Sequence, residues 1–221
     1  MLFKTNGCSR FLGHELAFNC DIGPVPQPDV DWFIKHLERS VAGGTVFKDG
    51  QTMQLGWMLT RFERKPDGLL HILEPDMKSM PIEFVDSVTT TLKDFRRQQD
   101  VVLSCAIEGG PQYPTLQSAI AVSGNYDSAR RYFMGRDEPE NSFSGWFFKD
   151  LDASDSEVRL VSLYEFACHR PDAVKFLALP PNHKVVAEAD DDIRILSGEQ
   201  ELPVKPGSYL ELLNSTRRRA H

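Results

Sequence analysis

From residue 14 to residue 20 the chain alternates. Leu16, Phe18 and Cys20 are separated by Glu15, Ala17 and Asn19, the period of a half-buried strand. A Pro- and Gly-rich piece, residues 23–28, then breaks the pattern. Beyond it Val30, Phe33, Ile34, Leu37 and Val41 recur at intervals of three and four, which predicts an amphipathic helix capped by Asp29 and ended by Gly43-Gly44, with Trp32 and His36 at its margin. Residues 52–63 are strand-like. Lys65-Pro66-Asp67-Gly68 is a turn, because proline presets φ and glycine accepts a positive φ, and residues 69–73 return as the paired strand. Pro81 suits a first helical turn, so a second helix is expected to follow it, with Phe84, Val85, Val88, Leu92 and Phe95 inward. Residues 101–107, VVLSCAI, read as a short apolar strand.

Residues 108–114 have the composition of a linker. They divide the chain into a domain at 1–108, a second at 115–205 and a tail at 206–221. In the second half the apolar runs 119–123, 132–134 and 143–148 predict strands, and residues 162–168 a helix. Another helix is expected from Pro171, with Ala173, Val174, Phe176 and Leu177 inward. Residues 184–189 and 193–196 form a last hairpin around Asp190-Asp191-Asp192. The tail is expected to fray, leaving Arg217-Arg218-Arg219 as a solvated cationic end. The fold class is therefore α+β: two small domains, each a mainly antiparallel sheet with helices packed on one face.

The stretch 121–152 organises the second half. Its block Gly145-Trp146-Phe147-Phe148 passes straight into Lys149-Asp150-Leu151-Asp152, a buried strand that surfaces abruptly into solvent. At 221 residues either one large or two smaller cores can form. The net charge of −7 argues against non-specific binding to nucleic acid or to an anionic membrane, both of which need clustered Lys and Arg. The amino terminus lacks the apolar core of a secretory signal, and no run approaches the ~18 apolar residues of a membrane span. A cytoplasmic protein is the expectation.

Sequence motifs for catalysis or metal binding are absent. Cys8, Cys20, Cys105 and Cys168 are unpaired in spacing, so reduced, mostly buried thiols are expected rather than a disulfide framework or a zinc site. The six histidines form no H-x-x-x-H and no H-E-x-x-H. Cys168 and His169 are adjacent and, on a helix, point about 100° apart. Asp190-Asp191-Asp192 and Asp150-x-Asp152-x-x-Asp155 lack the glycine and distal glutamate of a calcium loop. No cofactor, no bound metal and no catalytic residue are expected.

A resemblance gives these observations a direction. Val122-Ser123, Tyr132-Phe133-Met134-Gly135-Arg136-Asp137-Glu138-Pro139, Ser144-Gly145-Trp146-Phe147-Phe148 with acids after it, and Phe176-Leu177-Ala178-Leu179-Pro180 resemble the immunity-protein family numbered thirty-three, found as antidotes in bacterial polymorphic-toxin systems. The likeness covers about residues 116–196. Gly56-Trp57, Leu73-Glu74-Pro75-Asp76 and Val101-Val102-Leu103-Ser104 are similar to a companion domain that often precedes the family's core domain. One departure stands out: where many members carry Gly and then acids after the Trp-Phe-Phe block, this chain has Lys149-Asp150-Leu151-Asp152. The resemblance implies an inhibitor that binds a cognate toxin tightly.

Charge supports that implication. Residues 137–192 contain thirteen acids and five bases, and an acidic face of this kind steers a basic partner such as a nuclease domain. Partner contact is expected at Asp137, Glu138, Glu140, Asp150, Asp152, Asp155, Glu157, Asp190, Asp191 and Asp192. The bland alternative is a set of solvated loops that keep the chain soluble. Trp146 is either core or, if its ring is exposed beside the acids, an interface anchor. An immunity protein that occludes a toxin, and is not itself an enzyme, is the favoured reading. A small cytosolic hydrolase and a housekeeping binding module are the alternatives.

Overall fold

A computed structural model describes residues 1–78, 80–153, 157–188 and 191–219. The chain divides into two compact units, Met1–Arg96 and Arg97–His221. Each contains a mostly antiparallel sheet with helices, so the fold is α+β as the patterning predicts.

The first unit contains β1 (Leu2–Lys4), α1 (Ser9–Leu12), β2 (Leu16–Asn19), α2 (Gln27–Ala42), β3 (Thr52–Leu55), β4 (Met58–Arg64), β5 (Leu70–Pro75) and β6 (Phe84–Val85). Its strand order is β1-β2-β5-β4-β3, with β6 on β5. β2 and β5 are parallel and the other pairs antiparallel. Val30, Phe33, Leu37 and Val41, the apolar stripe of α2, pack with Leu16, Phe18, Phe62, Leu70 and Ile72 of the sheet. Residues 52–63 depart from the single strand expected: Gly56, at φ +59°, lets the chain reverse there and makes two strands.

The next helix departs further. It begins not after Pro81 but at Thr89, as α3 (Thr89–Ser104). The buried Glu74 carboxylate, at the end of β5, fixes that start by accepting from the backbone N–H groups of Thr90 and Thr91 at 3.1 and 2.7 Å, neutralising two otherwise orphaned donors. α3 then continues through residues 101–104, so the strand expected at 101–107 is wrong. Its inward face includes Thr91, Asp94 and Gln98, polar residues that hide the helical period from a count of apolar ones.

The second unit contains β7 (Ala119–Ser123), β8 (Tyr132–Arg136), β9 (Phe143–Asp150), β10 (Val158–Ser162), α4 (Leu163–His169), a 3-10 turn (Val174–Phe176), β11 (His183–Ala187), β12 (Arg194–Ser197), β13 (Gln200–Glu201) and α5 (Tyr209–Arg219). The strand order is β10-β7-β9-β8-β11-β12-β13. Only β7 and β9 run parallel among its described pairs. Three expectations are corrected. β10 is an additional strand. The helix expected from Pro171 is a single 3-10 turn. The tail is helical rather than frayed, and the Asn214 side chain of α5 exchanges two hydrogen bonds with the backbone of Ile193, at 2.9 and 3.1 Å.

Candidate functional site

β9 lies between β7 and β8, and its side chains alternate between two environments. Trp146 and Phe148 point into the core and are fully buried, with Phe148 packed against Phe166 of α4 at 5.4 Å between ring centres. The indole Nε1 of Trp146 donates to the Leu177 carbonyl at 3.1 Å. Above that ring, at 5.7 Å, sits the guanidinium of Arg136, which is 4 % exposed. Its Nη1 donates to the carbonyls of Gln112 and Leu179, both at 2.6 Å. Burial lowers the pKa of Arg136 to about 10, still well above neutrality, so the side chain stays charged and clamps two loops to the sheet.

Ser144-Gly145 shapes the entry to β9. Ala119 of β7 faces Phe143, whereas Ala121 faces Phe147, so β9 bulges between them. Gly145 adopts φ +80°, and a Cβ there would stand 2.1 Å from the Asp137 carbonyl oxygen. Glycine is required at this position on both counts.

The sequence-predicted acids do not converge. Asp137, Glu138 and Glu140 follow the carboxyl end of β8 and are exposed. Asp150 and Asp152 belong to the opposite end, where Tyr132 faces Asp150 on one side and Ala187 on the other. The five residues of β8 separate the ends by roughly 14 Å. Asp150 is only 5 % exposed and accepts from the Asp152 backbone N–H at 2.9 Å, so it shapes a turn. Asp152 pairs with Arg131 at 2.9 Å. Glu188 lies 3.6 Å from Arg131 and 3.8 Å from Arg194, and Asp192 pairs with Arg218. That end is an ion-pair network. By contrast, Asp137, Glu138 and Glu140 make no ion pair among the described residues. Glu157 and Asp191 are exposed. Asp155 and Asp190 lie outside the described residues.

Sequence reasoning missed the sheet's other face. The register places Leu160 of β10, Ala121 of β7 and Phe147 of β9 side by side. The adjacent row carries Val158, Ser123, Lys149, Phe133, Val186 and Arg194. Val158 is 65 % and Leu160 67 % exposed, and Phe133, Phe147 and Val186 are half-buried. The available signal was the alternation in Val158-Arg159-Leu160-Val161, with two apolar side chains directed away from Val161 and the core.

Other chemistry is sparse. Cys8, Cys20 and Cys105 are buried. Burial raises their thiol pKa values, that of Cys105 to about 11, which leaves them protonated and poorly nucleophilic at neutral pH. Among the described residues no three His, Cys, Asp or Glu side chains are grouped to hold a metal ion, and no helix is long and apolar enough to cross a membrane.

Residues 97–196 match the sequence model of the Imm33-like domain. The match supports an immunity-protein family for this part of the chain and does not reach residues 1–96. No curated protein and no solved structure matches the chain.

Proposed function

We propose that this protein is an immunity protein that binds a cognate antibacterial toxin and neutralises it by stoichiometric occlusion of its active or substrate-binding site. The observation that carries this reading is the Imm33-like match, which spans β7 to β12 and therefore most of the second sheet. In this reading no covalent bond is made or broken by the chain. The first unit is the companion domain that precedes the immunity domain.

The partner is a basic nuclease domain working in the same cytoplasm. Supporting this are the net charge of −7 and the exposed, unpaired carboxylates Asp137, Glu138 and Glu140. Nucleases present cationic substrate sites, and an opposed acidic surface raises association rates roughly 10- to 1000-fold. Co-expression with each protein encoded beside this gene tests the proposal: one of them should be toxic alone, growth should be restored by this chain, and the two proteins should co-purify. A partner that degrades cell wall rather than nucleic acid would remove the nuclease part and leave the rest.

A further inference from the structure

The geometry points to the open face of the second sheet, between β10 and β8, as the surface on which the partner docks. This inference rests on the toxin-binding reading. One face of an antiparallel sheet is normally solvated and polar, yet here Val158 and Leu160 stand exposed at the β10 edge and lead across Ala121 to Phe147 and Phe133. The two rings lie 5.6 Å apart. Gly135 leaves room for Phe147 to lie down: a Cβ there would meet Phe147 Cζ at 2.2 Å. The result is a low apolar platform on the unit that carries the immunity-domain match, and it runs to β10, the end strand of the sheet. Contiguous exposed apolar surface of this kind marks interaction sites.

Charge identifies the occupant's chemistry. Although the chain is acidic, the charged residues in the two central rows are Lys149, Lys184, Arg194 and, at the β13 end, Glu201. Lys184 is paired with Glu199, and Arg194 lies near Glu188 and Glu201. Lys149 is exposed and has no ion pair among the described residues. The platform therefore fits a toxin surface with apolar side chains at its centre and a carboxylate facing Lys149. The acids Asp137, Glu138 and Glu140, at the end of the sheet, steer from outside the contact.

Two variants test this, with a catalytically inactive form of the toxin recovered in the co-expression test as the probe. Val158→Asp with Leu160→Asp should weaken binding by about 100-fold or more, as loss of two apolar anchors does. Lys149→Glu should weaken it by about 10-fold and be rescued by reversing one toxin carboxylate. Both should melt with the wild type. Wild-type affinity in both variants overturns the docking face and leaves the toxin reading standing. If the double variant fails to fold, unchanged affinity in Lys149→Glu overturns it alone. A wild-type chain that neither binds the toxin nor restores growth overturns the toxin reading and the docking face together. A wild-type dimer that the double variant makes monomeric assigns the face to a second copy and overturns the toxin assignment.

Discussion

Phe147 and Gly135 face each other across β9 and β8, with the ring so close that a Cβ on Gly135 would stand 2.2 Å from Phe147 Cζ. The glycine is thus part of the aromatic's seat. A ring that lies over a neighbouring strand replaces the side chain that the strand lacks. Gly135→Ala should lift the ring, lower stability by about 1 kcal/mol in urea denaturation, and weaken toxin binding. An alanine variant with unchanged stability and affinity would show that the ring does not need this position.

Arg136 offers a second test, of the scaffold rather than the surface. Its Nη1 satisfies the carbonyls of Gln112 and Leu179, and Arg136→Met would strand the buried Leu179 carbonyl in the interior. The expected loss is roughly 2–4 kcal/mol, read from the urea midpoint. Arg136→Lys should recover only part of it, since an ammonium lacks the planar fork.

The exposed acids make a kinetic prediction. Reversing Asp137, Glu138 and Glu140 to Lys should slow association with the toxin strongly at low salt and much less at high salt, because their effect is long-range and screened. Stopped-flow mixing measures this directly. Equal association rates for variant and wild type at low salt would remove these carboxylates from the account.

Glu15 gives a pH prediction in the first unit. Burial opposes its ionisation, but hydrogen bonds from the Thr5 hydroxyl and from Ser9 and Gly7 outweigh burial and hold its pKa at about 2, against 4.5 for an ordinary glutamate. A carboxylate whose folded pKa is depressed contributes stability fully above its unfolded value and loses it as pH falls toward the folded one. Glu15→Gln should therefore be less stable than wild type at neutral pH. The gap should close between about pH 4.5 and about pH 2. Parallel stability curves over that window would contradict the assignment.

Much of the fold was legible because burial follows simple periods. Leu16, Phe18 and the stripe Val30, Phe33, Leu37 and Val41 all lie in the core that the alternation and the helical spacing placed them in. Legibility failed where polar residues do the packing. Gln98 of α3 is buried with its amide donating to the Val174 carbonyl, and α5 buries Leu210 and Asn214. It failed again at β10, whose Val158 and Leu160 face outward. The acids were countable in sequence, but their distribution was not. Register sends Asp137 and Asp150 to opposite ends of one sheet, and local turn geometry buries the latter.

The central claim is neutralisation by occlusion, and the most direct measurement is a titration of toxin activity with this protein in a purified system. Activity should fall linearly and end at a fixed molar ratio, at once and without further change. It should return when the complex is dissociated and the toxin refolded. Continued loss of toxin activity with time at substoichiometric amounts, irreversible after separation, would show that the chain acts as an enzyme and would contradict the account.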